Sequence, residues 1–142
     1  MSAIQKYDEV IKSTNEIALA TSVDSIPNVR IVNFCYKPEQ PNILYFASDR
    51  DNRKVIEFRE NSRVAFTTIP LSPDSIPHIR SNNAVVQKSM FSIDDVKDLF
   101  INSVPGYDET LAAIGETLDV FEIHVKEAIV ITGFEEPDFI TF

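Results

Sequence analysis

From Glu16 onward the chain is a succession of short apolar stretches, and the first two are separated by a turn too tight to carry a chain across a sheet. Residues 16–23 set the pattern. Ile17, Leu19, Thr21 and Val23 alternate with Ala18, Ala20 and Ser22, which is the two-residue period of a β-strand. Asp24-Ser25-Ile26-Pro27 then turns the chain straight into a second apolar run, 28–36. A parallel partner needs a crossover of about a dozen residues or more, so these strands are antiparallel. One face of the first strand carries only small side chains, which lets another group approach it closely.

In the second run Arg30 shares a face with Val32, Phe34 and Tyr36, opposite Val29, Ile31, Asn33 and Cys35. An arginine there is either an edge residue with its head in water or a cation lining a pocket, and the strand by itself favours the first. Residues 43–48 form a third strand, 63–69 a fourth, and 78–89 a fifth interrupted at Ser81-Asn82-Asn83. Residues 118–125 and 127–132 complete the set. Helical spacing marks 3–13, and a helix over 52–60 turns Val55, Ile56 and Phe58 inward behind Asp51 or Asn52 as N-cap. A further helix starts at Ser92, and a short one is capped by Asp108 and ends near Gly115. The pattern predicts one α+β domain over 1–142, with a mainly antiparallel sheet of six or seven strands closed into a barrel and three or four flanking helices. No G-x-G-x-x-G or G-x-x-x-x-G-K run occurs, which excludes Rossmann and P-loop phosphate binding.

Charge is unevenly placed. The net charge of −9 argues against a nucleic-acid surface. Yet five of the thirteen Lys and Arg residues lie within 43–63: Arg50, Arg53, Lys54, Arg59 and Arg63. Cations at a helix start, beside its unpaired N–H groups, suit a small anion. The single Cys35 can form no internal disulfide and reads as a small buried hydrophobe. His78 and His124 have no metal-ligand spacing, so no metal site is expected. Glu122 and His124 read as neighbours on one strand face rather than an acid–base pair. The absence of a signal pattern or a membrane-length apolar run leads to a cytoplasmic expectation. Residues 24–33 and 74–83 are identical at six of ten positions, and each places an arginine, Arg30 or Arg80, three residues after a proline.

R-I-V-N-F at 30–34, Y-F-A-S at 45–48 and N-R-K at 52–54 resemble the pyridoxamine 5′-phosphate oxidase-like family of flavin-binding split barrels. A-L-A-T-S at 18–22, V-A-F-T-T at 64–68 and the arginine-led strand at 79–88 follow in the same order. The resemblance implies a split β-barrel homodimer with flavin mononucleotide (FMN) at the interface. It implies that Arg30, Ile31, Val32 and Asn33 run beside the cofactor and that Ser48 contacts it. Asn52, Arg53 and Lys54 would hold the phosphate. The echo between 24–33 and 74–83, which convergence on one turn-into-strand chemistry explains most simply, also makes Arg80 a candidate cofactor contact, aimed at a depth similar to Arg30. The tail from Phe134 is acidic, without the basic, His-containing segment of the vitamin B6 enzyme. The chain is therefore similar to a small general-stress-protein-like member rather than to that enzyme. A small FMN-dependent oxidoreductase of unknown substrate is the leading expectation. A non-catalytic flavin sensor or storage protein, or a binder of heme or a deazaflavin, stands beside it.

Overall fold

A computed structural model describes residues 1–142. The first hairpin is tighter than its sequence suggests. β1 (Glu16–Val23) pairs with β2 (Ile26–Asn33) up to Val23 opposite Ile26, leaving only Asp24 and Ser25 as the loop. Both have positive φ, 51° and 65°, which is the mirror-image turn that matches strand twist. Pro27 therefore lies within β2, and β2 is an edge strand, where its missing N–H does least harm.

The remaining strands are β3 (Cys35–Lys37), β4 (Gln40–Asp49), β5 (Arg63–Thr68), β6 (His78–Lys88), β7 (Leu118–Ile131) and β8 (Asp138–Thr141). All pairings are antiparallel, in the order β2-β1-β5-β6-β7-β4-β3, with β8 added to β7. β2 and β3 are separated by Phe34 alone, yet they sit at opposite ends of this path. The sheet must therefore curl until its two ends meet, and the seam between β2 and the β3–β4 side is a split. This is the α+β barrel expected from the alternation, with the second run broken at Phe34 instead of continuing to Tyr36.

Four helices close the structure. Ser2 and Gln5 form a reciprocal capping box at α1 (Ala3–Lys12), which buries Tyr7, Val10 and Ile11 in the main core. The Tyr7 hydroxyl donates to the Pro41 carbonyl at 2.8 Å. α2 (Arg53–Glu60) joins β4 to β5, and its Val55 and Phe58 enter the same core beside Phe46 and Phe121. α3 (Ile93–Ser103), boxed by Ser92 and Asp95, and α4 (Tyr107–Ile114) cover a second cluster on the other face of β4. There Cys35, Tyr45 and Val120 meet Phe100, which stacks on Tyr107 at 4.8 Å. Burial pushes the Cys35 thiol up to about 12, as its reading as a small hydrophobe implies.

Three expectations are corrected. The two C-terminal runs are one continuous strand, β7: an extra residue on β6 between Arg80 and Asn83, at the predicted Ser81–Asn83 interruption, is offset by an extra residue on β7 at Lys126, so the pairing resumes in its original register. Gly106, at φ +78°, is the N-cap of α4, and Asp108 lies in the first turn, where its charge complements the helix dipole. The tail forms β8, tied down by the Lys6–Asp138 ion pair at 2.7 Å and the Tyr7–Phe142 ring contact at 5.0 Å. No helix is long and apolar enough to cross a membrane.

Candidate functional site

α2 starts at the edge of the split, beside β2. Its N-cap is Asn52, whose side-chain oxygen accepts the Lys54 N–H at 3.1 Å. Asp51 does not cap; its own N–H is held by the Asp49 carboxylate at 3.0 Å. The two acidic residues flanking Arg50 thus build the turn and stand outside the cleft that α2 and β2 enclose. That cleft, about 440 Å³, is lined by Asn28, Arg30, Ile31, Asn52, Arg53, Lys54 and Glu57, with Val29 at its rim.

The five ion pairs of the molecule engage Lys6, Arg30, Arg50, Lys88 and His124, and leave Arg53 and Lys54 without a carboxylate partner. Lys54 is half-buried, and burial, reinforced by the Arg30 charge and only partly opposed by the Asp49 carboxylate, holds its ammonium below the ordinary lysine range. A charge removed from water without a partner is costly, and an anion in the cleft would relieve that cost.

Arg30 is engaged differently. Its Nη2 donates to Glu57 Oε1 at 2.8 Å, and its Nη1 donates to Thr21 Oγ1 at 2.8 Å and to the Leu19 carbonyl at 3.4 Å. Glu57 Oε2 accepts from Thr21 Oγ1 at 2.8 Å and from Asn28 Nδ2 at 3.1 Å. Burial pushes the Glu57 carboxyl upward, but Asn28, Thr21, Arg30 and Arg53 together outweigh it and hold the group below its ordinary value. The helix therefore turns Glu57 inward and leaves Ile56 51% exposed, reversing the expected order. Arg30 is neither a plain solvated edge residue nor a free pocket cation.

The structure thus brings together Arg30, Ile31, Asn52, Arg53 and Lys54. The Val32 side chain belongs to the core, Asn33 is exposed at the end of β2, and Ser48 is buried with its hydroxyl on the Asp49 carbonyl at 3.1 Å. Arg80 lies elsewhere, in a depression of about 750 Å³ on the outer face of the sheet. Its floor includes Ala18, Ala20 and Ala65, the small-residue face noted on the first strand, and Phe139 and Ile140 of β8 form a wall. A register row runs Ile31, Ala18, Thr67, Arg80, Ile129, Phe139 across this face. Val29 borders both the cleft and the depression, so the two adjoin. The echo between 24–33 and 74–83 does not aim its two arginines at one place. Glu57, Asn28 and Val29 escape sequence reasoning; only the position of Glu57 one turn after Arg53 and Lys54 hinted at a counter-charge.

A pyridoxamine 5′-phosphate oxidase-like family model matches residues 10–136. The chain belongs to the pyridoxamine 5′-phosphate oxidase-like family. Solved structures agree at the level of fold. A heme binding protein from Mycobacterium smegmatis superposes with a TM-score of 0.80 at 13% identity over 99% of this chain, which spans only 58% of that protein's chain. An FAD-binding protein from Mesorhizobium loti gives a TM-score of 0.66 at 15% identity, covering 90% of this chain and 92% of that one. General Stress Protein 26 from Bacillus anthracis str. Sterne gives 0.64 at 16% identity, covering all of both chains. No curated protein matches the sequence.

Within this family member, the residues at the α2 start fit a phosphate group by charge, and the adjoining face fits a flat ring by its small side chains. Glu122 and His124 do form a bonded pair, at 2.8 Å, and Glu122 also accepts the Ser89 hydroxyl at 2.6 Å. Neither Glu122 nor His124 borders the cleft or the depression.

Proposed function

We propose that the protein binds FMN and serves as a small flavin-dependent oxidoreductase. The observation that carries this reading is the unpaired Arg53–Lys54 couple at the α2 N-terminus, directly beside a sheet face floored by alanines. Arg53, Lys54 and the Asn52 amide would hold the phosphate, with the helix dipole adding to the attraction. The ring would lie along Ala18 and Ala20, bordered by Val29 and by Arg80. Bound FMN supplies hydride and electron transfer; the chain supplies orientation and a dry surface.

The same face needs a cover. Val29 and Ile31 project from it 69% and 62% exposed beside the free edge of β2, and Phe139, 73% exposed, stands at its far side on β8. Apolar side chains on a sheet edge suit a self-complementary partner, so a second copy of the chain would close the cofactor site. The free thiol of Cys35 is compatible with a reducing cytoplasm.

One observation favours a second reading, heme. His78 borders the depression, and its Nδ1 lies 2.8 Å from the Ile76 carbonyl. A carbonyl only accepts, so Nδ1 carries the proton and the neutral ring keeps a lone pair on Nε2 for a metal. Parallel titration with FMN and with hemin separates the two. FMN quenching that saturates, with no Soret shift on adding hemin, supports the flavin reading; the reverse replaces it. Oxidation of NADH or NADPH by the FMN-loaded protein then separates an oxidoreductase from a flavin-holding sensor or store.

A further inference from the structure

We propose that Glu57 sets how tightly the α2 cleft holds an anion, by keeping the Arg30 guanidinium in an internal ion pair and leaving Arg53 and Lys54 as the grip. The inference deepens the anion-site reading above and rests on it. The geometry is specific. Each Glu57 oxygen is already committed: Oε1 to Arg30, Oε2 to Thr21 and Asn28. Arg30 is equally committed, with Nη1 on Thr21 and the Leu19 carbonyl. These groups tie α2 to β1 and β2 at the back of the cleft. Of its three cations and one carboxylate, Arg30 and Glu57 cancel, and the remaining charge of two resides on Arg53 and Lys54. A phosphate monoester carries about −1.5 to −2 at neutral pH, so the cleft matches it without excess. A cleft of three free cations would hold the anion harder and release it more slowly. Glu57 is thus a positioning residue that keeps the bound anion exchangeable.

Glu57→Gln isolates this role, because the side chain keeps its size. Its single oxygen cannot serve Arg30 and the Thr21–Asn28 pair at once, and it carries no charge to hold the guanidinium, so Arg30 is released toward the cleft. Arg30→Met does the opposite, leaving the carboxylate uncancelled. The test is calorimetric titration of wild type, Glu57→Gln, Arg30→Met and Lys54→Ala with inorganic phosphate at two salt concentrations, and with FMN and riboflavin in parallel. Circular dichroism verifies that each variant is folded. The expected result is phosphate binding about tenfold tighter in Glu57→Gln, with a steeper salt dependence, and weaker in Arg30→Met. A purely structural role for Glu57 would weaken binding or leave it unchanged in the folded variant, and that result overturns the proposal. Should Glu57→Gln fail to fold, phosphate affinity in Arg30→Met equal to wild type overturns it as well. Phosphate responses as expected, with no binding of FMN, would remove the flavin reading and leave the role of Glu57 standing. No phosphate response in any chain, Lys54→Ala included, would remove both.

Discussion

At the scale of single residues, the site turns on which side chain α2 points inward. At 3.6 residues per turn, Ile56 and Glu57 flank the Val55–Phe58 direction at equal angles. Helical periodicity cannot choose between them, and hydrophobicity chooses Ile56. The structure chooses Glu57 because Arg30, Thr21 and Asn28 offer it partners from β1 and β2. Those partners are about thirty residues away in sequence, so no local pattern announces them. The Asn52-Arg53-Lys54 run, in contrast, is legible locally as a cap followed by two cations, while its reading as an anion grip instead of a solvated helix face comes from the family resemblance. The buried carboxylate has a pH signature. Its folded value is depressed below the ordinary 4.5, so its stabilisation is present above that value and is lost as pH falls through the folded one. Urea denaturation from pH 7 to pH 3 should show wild type more stable than Glu57→Gln at neutral pH, with the gap narrowing below about pH 5. A gap constant over that range would show that the ionised form is not what stabilises.

Among the elements, those specified by their own sequence were legible and those specified by distant pairing were not. The alternation of β1 and the Ser92 start of α3 are local signals, and both elements stand where they were expected. β8 carries no such signal. It becomes a strand because β7 offers it an edge, through Glu127 to Val130 paired with Thr141 to Asp138. Lys126 and Glu127, charged and exposed, read as a break in β7, but a bulge there offsets the one in β6 and the pairing continues on both sides. The α3 capping box gives a direct test at this scale. Ser92→Ala removes the acceptor for the Asp95 N–H and should cost about 1 kcal/mol in denaturant unfolding. A loss near zero would mean that the packing of Val96 and Phe100 alone holds the helix start.

For the whole molecule, the curled sheet leaves one face unfinished. Its alanine floor, the exposed Val29, Ile31 and Phe139, and the adjoining cation cleft are the surface that the proposed function assigns to half of a cofactor site. Light scattering after size exclusion should give twice the 16.0 kDa of one chain, and a mass of one chain would leave that face without its cover. The central claim is the flavin itself. Its most direct test is fluorescence titration of the purified protein with FMN. The account predicts saturable quenching at one FMN per chain, weakened at least tenfold by Lys54→Ala as one of the two unpaired phosphate-binding cations is lost. FMN fluorescence unchanged by the protein, or binding indifferent to Lys54, would contradict it.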